Sequence, residues 1–184
     1  DAEEADRLDN ADFVLKGGQV PATMRKHFLP NFNVFDEVRL FKSADIAGPY
    51  VSDEGPRIGS PVCEDAWYPD VAEAMVESGA EILVVPNGSP YFRGKFPVRM
   101  NNMVARVIEN DVPLVYLNMV GGQDDQVFDG GSFVLNRGAK LAVQMPVFET
   151  GLTHVDFHKT DQGWEAAPGD KALLPGDIEQ DYCV

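Results

Sequence analysis

A continuous apolar run in the middle of the chain constrains the fold more than any other feature. Residues 81–86 (EILVVP) are rich in β-branched and aliphatic side chains and show no polar alternation after the first residue. Such a run is typical of a strand that is covered on both faces. The sequence therefore predicts a buried strand here, followed by a turn over residues 87–90.

Helical patterns are predicted on both sides of this strand. Residues 98–110 carry apolar side chains at helical spacing, which is typical of a helix packed on a sheet. These side chains are Met100, Met103, Val104, Val107 and Ile108. An earlier helix is predicted to take Asp70 as its N-cap, to run to about Ser78 and to end at Gly79. Strands that alternate with helices in this way indicate an α/β fold.

Further strands are predicted from short apolar or alternating segments. Glycines at positions 17 and 18 and at position 138 indicate the turns of two hairpins, and residues 57–62 predict a strand that ends at Cys63. The other predicted strands are 13–16, 19–24, 113–119, 132–136, 140–144 and 152–157. The segment from Trp164 has no periodicity. We therefore predict one domain over residues 1–163 and a C-terminal extension or linker over residues 164–184.

The composition excludes several classes of partner. The formal net charge is −15, from 30 acidic and 15 basic residues, and this charge would repel nucleic acid phosphates and anionic lipids. The apolar runs are too short to span a membrane. Cys63 and Cys183 do not specify a disulfide framework, which favours a reducing, cytoplasmic setting.

Cys63 is the candidate nucleophile. It follows a predicted strand and opens a loop before a helix, a position where a thiol is held rigidly at the edge of a sheet. A small buried apolar residue would also explain a cysteine here. Glu64 and Asp65 follow it and would raise the pKa of the thiol, so a nearby cation is required. Lys26, at the end of a predicted strand, is the candidate, although an arbitrary lysine is usually a solvated surface residue.

Four blocks of the sequence carry a resemblance. In chain order they are RKHFLPNFNVFDEVRLF, PVCEDAWYPD, VPNGSPYFRGK and NMVGGQDDQVFDGGS. They resemble the nitrilase superfamily of carbon-nitrogen hydrolases and, more narrowly, the glutaminase domains of glutamine-dependent NAD+ synthetases. The resemblance runs from about residue 10 to residue 155. It implies a nitrilase-type α-β-β-α sandwich, incomplete at the N-terminus because the first strand and helix of the family have no counterpart in the chain.

The resemblance also implies a Glu-Lys-Cys triad that hydrolyses the amide of glutamine. Cys63 matches the nucleophile, and Lys26 matches the lysine that stabilises charge. The backbone N–H of Glu64 would stabilise the oxyanion together with Lys26. Glu37 matches a carboxylate that positions the lysine, whereas by itself it could be an exposed loop acid.

Three further residues are assigned to the substrate by the resemblance alone. Ser89 and Lys95 match positions near the bound glutamine. Phe32 stands where the synthetases commonly have tyrosine, so a polar contact of that tyrosine is expected to be missing.

The general base of the family lies well upstream of the lysine. Glu3 and Glu4 precede Lys26 but are too close to it to match that base. We therefore expect the base to be absent from this chain, and the chain alone to be nearly inactive.

The resemblance implies a larger assembly around the glutaminase step. In the synthetase branch, ammonia passes through a tunnel to an ATP-dependent synthetase domain that follows in the same chain. ATP and Mg would belong to that domain, whereas the glutaminase reaction needs no cofactor. Domains of this family generally associate, so we expect a homo-oligomer.

Several alternatives remain open from the sequence. The chain could be a non-catalytic remnant of the nitrilase fold, or an amidase acting on another small amide. A Cys-His pair would use Cys63 with His27 or His154. His154, Asp156 and His158 alternate and could offer ligands to a metal, but the solvated face of an edge strand explains them equally well and no metal is expected.

Overall fold

The computed structural model describes residues 7–176 of the chain. In chain order the strands are β1 (Ala11–Lys16), β2 (Gln19–Arg25), β3 (Tyr50–Val51), β4 (Arg57–Gly59), β5 (Ile82–Asn87), β6 (Leu114–Asn118), β7 (Val120–Gln123), β8 (Gln126–Asp129), β9 (Phe133–Asn136), β10 (Lys140–Gln144), β11 (Phe157–Thr160) and β12 (Gly163–Ala166). The expectations for Glu3, Glu4 and Cys183 lie outside the described residues.

Six of these strands form the central sheet, in the order β10-β9-β6-β5-β4-β3. Strands β4, β5 and β6 run parallel, whereas β3, β9 and β10 pair antiparallel with their neighbours. The longest parallel pairing joins β5 to β6, with Leu83 opposite Leu114. The carboxyl ends of β4, β5 and β6 consequently meet at one edge of the sheet.

Two long helices cover one face of this sheet. Among the described residues, the α-helices are α1 (Glu37–Leu40), which buries no residue, α2 (Pro69–Glu77) and α3 (Lys95–Asn110). Met75 of α2 and Met103 and Val107 of α3 are fully buried in one cluster with Leu83 and Leu114 of the sheet. Burying an aliphatic side chain of this size contributes about 1.5–3 kcal/mol, so this cluster fixes both long helices on the sheet. Within residues 7–176, none of the helices has the length and apolar character needed to cross a membrane.

Three two-stranded sheets surround the central one, formed by β1 with β2, β7 with β8 and β11 with β12. The β1–β2 hairpin turns at Gly17 and Gly18, both with positive φ, as paired glycines predict. Both predicted hairpins and the predicted strands of the central sheet at 81–86 and 113–119 are confirmed. The α/β class is confirmed with them.

Several predicted boundaries are wrong. Tyr68, not Asp70, is the N-cap of α2, because Pro69 takes the first helical position, where a missing N–H costs nothing. Helix α3 begins at Lys95 rather than at residue 98. Ile108, predicted to face the sheet, is 58% exposed.

The strand predicted to end at Cys63 is also shorter than expected. Strand β4 stops at Gly59, where an added Cβ would lie 3.0 Å from Leu83 Cδ2 and 3.1 Å from Ala80 Cβ. The close approach of α2 and β5 therefore requires glycine at this point. The chain then leaves the sheet for three residues before it reaches the cysteine.

The C-terminal part differs from the prediction in two ways. Residues 152–156 are not a strand, and β11 begins at Phe157. Trp164 does not open an irregular tail, since it lies in β12, which pairs with β11 and ends at the buried Ala166. The hairpin therefore crosses the predicted boundary between residues 163 and 164, while the division into a domain and a linker stays a prediction.

A buried ion pair holds the loop that follows β5. Arg99 of α3 is fully buried and lies 2.8 Å from the carboxylate of Asp129, which is also buried. Its guanidinium donates in addition to the Ser89 hydroxyl at 3.1 Å and to the Ser89 carbonyl at 2.7 Å. One side chain thus ties α3, β8 and the loop after β5 together.

Loss of this arginine should destabilise the fold. Arg99→Met leaves Asp129 buried without its partner, which typically costs about 3–5 kcal/mol. Arg39→Met is the matched control, because Arg39 pairs with Asp36 on the surface and such pairs contribute less than about 1 kcal/mol. Urea unfolding followed by circular dichroism measures both, and equal losses would contradict the assigned role of Arg99.

Candidate active site

A cleft of about 380 Å³ opens at the carboxyl ends of β4 and β5. Cys63 comes from the segment after β4, and Gly88 follows β5 directly. Lys26 follows β2, and Glu37 is the first residue of α1. The structure thus brings together three side chains that the sequence assigned to catalysis, from three separate segments.

The backbone at Cys63 is held in a strained conformation. Cys63 begins a short 3-10 helix, Cys63–Ala66, and its φ is +52°. A residue with a Cβ adopts this region at a cost of about 1–3 kcal/mol, and such strain concentrates at functional sites. The sharp turn places the thiol on the wall of the cleft while Val62 beside it stays buried.

Opposing effects act on the thiol of Cys63. Burial raises its pKa, and the positive charge of Lys26 opposes that rise. The carboxylates of Glu64 and Glu37 raise the pKa further, whereas a hydrogen bond from the Gly88 backbone lowers it. The thiolate in this cleft consequently depends on Lys26 and on the loop after β5.

Lys26 is held by a buried ion pair. Its side chain is 1% exposed, and its Nζ donates to Glu37 Oε1 at 2.7 Å. The second oxygen of Glu37 accepts from Asn10 Nδ2 at 3.3 Å, and the Asn10 carbonyl accepts from the Lys26 backbone at 2.8 Å. A buried charge needs such a partner, which Glu37 supplies, while its role in positioning the lysine stays a prediction.

Asp65 has a role in the site that the sequence analysis missed. Its carboxylate accepts hydrogen bonds from the backbone N–H groups of His27, Phe28 and Val62. Two of these donors follow Lys26 in the chain, and the third precedes Cys63. The one available signal was the acid itself, two residues after the cysteine.

Glu64 and Lys95 interact electrostatically with each other and with the nucleophile. The Glu64 N–H falls in the first turn of the 3-10 helix, where backbone N–H groups have no acceptor within the helix. Lys95 Nζ lies 4.4 Å from the ring centroid of Trp67 and 4.7 Å from that of Phe92. Burial lowers the pKa of Lys95, and the charge of Arg99 lowers it further. Both assigned roles stay predictions.

Ser89 and Phe32 do not line the cleft that contains Cys63. The Ser89 side chain is buried, its hydroxyl accepts from Arg99, and its N–H donates to Asn118 Oδ1 at 2.9 Å. Phe32 is 50% exposed and packs edge-on against Phe35, which lines the cleft. Neither residue lines the cleft itself, so the contacts with substrate assigned to them also stay predictions.

The histidines do not approach the nucleophile in the manner of a Cys-His pair. His27 Nδ1 lies 2.7 Å from the Ala44 carbonyl oxygen, and the ring lines a separate depression with Arg25 and Lys42. His154 is exposed on the irregular segment before β11. In the part of the chain that the structure describes, no group of three or more His, Cys, Asp or Glu side chains could hold a metal ion.

Comparisons with known proteins agree with this geometry. The family model described as Carbon-nitrogen hydrolase matches residues 2–163. A Glutamine-dependent NAD(+) synthetase of Rhodobacter capsulatus is 55% identical over 174 residues, which cover 94% of this chain and 31% of the relative. The chain thus spans about a third of the length of that relative.

Solved structures show the same fold. The glutamine-dependent NAD+ synthetase of Acinetobacter baumannii, in complex with ADP, superposes with a TM-score of 0.88 and 31% identity, covering 95% of this chain and 33% of that one. An amidase of Nesterenkonia sp. AN1, with acrylamide added at its active-site cysteine, gives a TM-score of 0.61 and 27% identity, covering 70% and 48%. The expected nitrilase-type sandwich is confirmed, and the chain belongs to the carbon-nitrogen hydrolase family.

Proposed function

We propose that this chain hydrolyses the side-chain amide of glutamine through a thioester on Cys63. The sulfur adds to the amide carbon, the carbon–nitrogen bond breaks, and the nitrogen leaves as ammonia with the proton of the thiol. Water then cleaves the thioester, which releases glutamate and restores the thiol. The observation that carries this proposal is the buried Lys26–Glu37 pair in the same cleft as the strained Cys63.

Lys26 supplies the positive charge that this reaction needs. Negative charge develops on the thiolate and then on the oxygen of the tetrahedral intermediate, and a fixed cation in a cleft with little water stabilises both. The Glu64 backbone N–H is the second donor to that oxygen. Removal of one such donor typically costs about 3 kcal/mol of transition-state stabilisation.

Glu37 is not suited to act as the general base. One of its oxygens accepts from Lys26 and the other from Asn10, so protonation of Glu37 would weaken the ion pair that holds Lys26. We propose that the base is a glutamate that has no match in this chain, as the resemblance implies. This chain alone would then turn glutamine over slowly.

We propose that the ammonia is used by an ATP-dependent synthetase domain of the same protein. This proposal is supported by the relatives, which are glutamine-dependent NAD+ synthetases and of whose length the chain spans about a third. ATP and Mg would act in that domain, and no cofactor in the glutaminase step. We also propose that the protein is a homo-oligomer and acts in the cytoplasm. The free thiol of Cys63 fits a reducing compartment.

The first test is glutamate release by the protein expressed from its complete reading frame. Cys63→Ala should abolish the release, by at least about 10³-fold, because no thioester can form. Cys183→Ala is the matched control and should retain full activity. Full activity in Cys63→Ala would refute the proposal, and inactivity of the unmodified protein would favour a non-catalytic nitrilase-fold domain.

The second test measures how the charge of Lys26 affects the thiol of Cys63, and it needs no substrate. Lys26→Met removes a charge that favours the thiolate, so the pKa of Cys63 should rise and alkylation by iodoacetamide should need a higher pH. Below the pKa, the rate should fall about tenfold for each unit of the rise. Mass spectrometry of the peptide containing Cys63 gives the rate, and Lys42→Met is the control. The same pH profile in both variants would contradict the role of Lys26.

A further inference from the structure

The carboxylate of Asp65 is almost completely enclosed, with 1% of the residue exposed. Its Oδ1 accepts from the Phe28 N–H at 2.7 Å and from the His27 N–H at 3.1 Å. Its Oδ2 accepts from the His27 N–H at 3.2 Å and from the Val62 N–H at 3.3 Å. One side chain therefore satisfies three backbone donors in the interior.

These donors belong to the two segments that carry the proposed chemistry. His27 and Phe28 follow Lys26 and lie 38 and 37 residues before Asp65 in the chain. Val62 precedes Cys63 and lies 3 residues before Asp65. The carboxylate thus links the end of β2 to the turn of the nucleophile. A shift of either segment would change the distance between the ammonium of Lys26 and the sulfur of Cys63.

The arrangement demands a carboxylate and not merely a polar side chain. Burial raises the pKa of Asp65, and the N–H groups of Phe28, His27 and Val62 oppose that rise. An asparagine has one acceptor oxygen, and its NH₂ group would face one of the donors. A buried acid is costly for a fold, but an apolar residue in its place would leave these three backbone donors without acceptors.

We propose that Asp65 is a positioning residue, which fixes Lys26 opposite Cys63 by clamping the backbones of both segments. This inference rests on the proposed function, since it assigns a purpose to the distance between these two groups. Asp65 acts through the backbone and does not touch the substrate.

The test compares Asp65→Asn with Asp70→Asn, which makes the same change at the exposed start of α2. In the protein from its complete reading frame, kcat of Asp65→Asn should fall about 10²-fold, since misplacement by about 1 Å can have that effect. KM should change less than about threefold. Asp70→Asn should keep both constants.

The pH profile of Cys63 alkylation separates positioning from simple charge. Lys26, Glu64 and Glu37 act on the thiol, and Lys95 also interacts with it electrostatically. Loss of the negative charge of Asp65 would by itself lower the midpoint, whereas displacement of Lys26 raises it. We expect Asp65→Asn to raise the midpoint by about one pH unit. In a Lys26→Met background the same substitution should no longer raise it.

An unchanged or lowered midpoint in Asp65→Asn, or the same rise in both backgrounds, would overturn the inference. If Asp65→Asn shows no cooperative unfolding, Asp65→Glu decides instead. It keeps the charge but displaces the oxygens by one methylene, so its kcat should fall at least about tenfold, and an unchanged kcat would overturn the inference. The two proposals fail separately: absence of glutamate release from the unmodified protein refutes the function, whereas undiminished release from a folded Asp65→Asn refutes the clamp alone.

Discussion

The parallel pairing of β4, β5 and β6 determines where chemistry can occur in this molecule. Parallel strands end at the same edge, so the segments that follow them converge there. Cys63 comes from the first, Gly88 and Ser89 from the second, and Asn118 is the last residue of the third. Asn118 bonds both Ser89 and the Gly130 carbonyl, at 2.9 and 3.1 Å. The polar groups at this edge of the sheet therefore already bond one another before a substrate binds.

Two buried cations at this edge are paired with carboxylates, although the whole chain carries a net charge of −15. Lys26 is neutralised by Glu37, and Arg99 by Asp129. In an interior of low dielectric constant each unpaired charge would be costly. The thiol of Cys63 is therefore sensitive to small displacements, since burial disfavours its charged form and one nearby cation favours it.

Local patterns in the sequence predicted the parts of the fold that local forces determine. The apolar run at 81–86 predicted a buried strand, and the paired glycines predicted a hairpin turn. The spacing of apolar residues predicted α3, apart from the burial of Ile108. The start of α2 was misjudged because Pro69 competes with Asp70 for the role of starting the helix. The alternation at 152–156 was misleading because a strand also needs a partner, which no local pattern supplies.

The site could be predicted only in part from the residues themselves. A cysteine after a strand indicates a nucleophile, and the acids beside it call for a cation, for which Lys26 was the candidate. Glu37 was assigned by the resemblance alone. Asp65 was missed because its partners are backbone N–H groups, two of them 37 and 38 residues away. Nearly every residue carries a backbone donor, so the sequence does not show which of these donors a carboxylate will bind.

The residues in and around the cleft differ in rigidity and exposure. Lys26, Glu37 and Asp65 are held by hydrogen bonds to neighbouring segments. Phe32 and Phe92, which do not line the cleft, each leave about half of their surface exposed. A change at a buried, hydrogen-bonded residue typically destabilises a fold more than a change on the surface, so the exposed positions around the cleft are freer to differ between members of the family. This division agrees with the range of relatives that share the fold, which include both an amidase and glutamine-dependent synthetases.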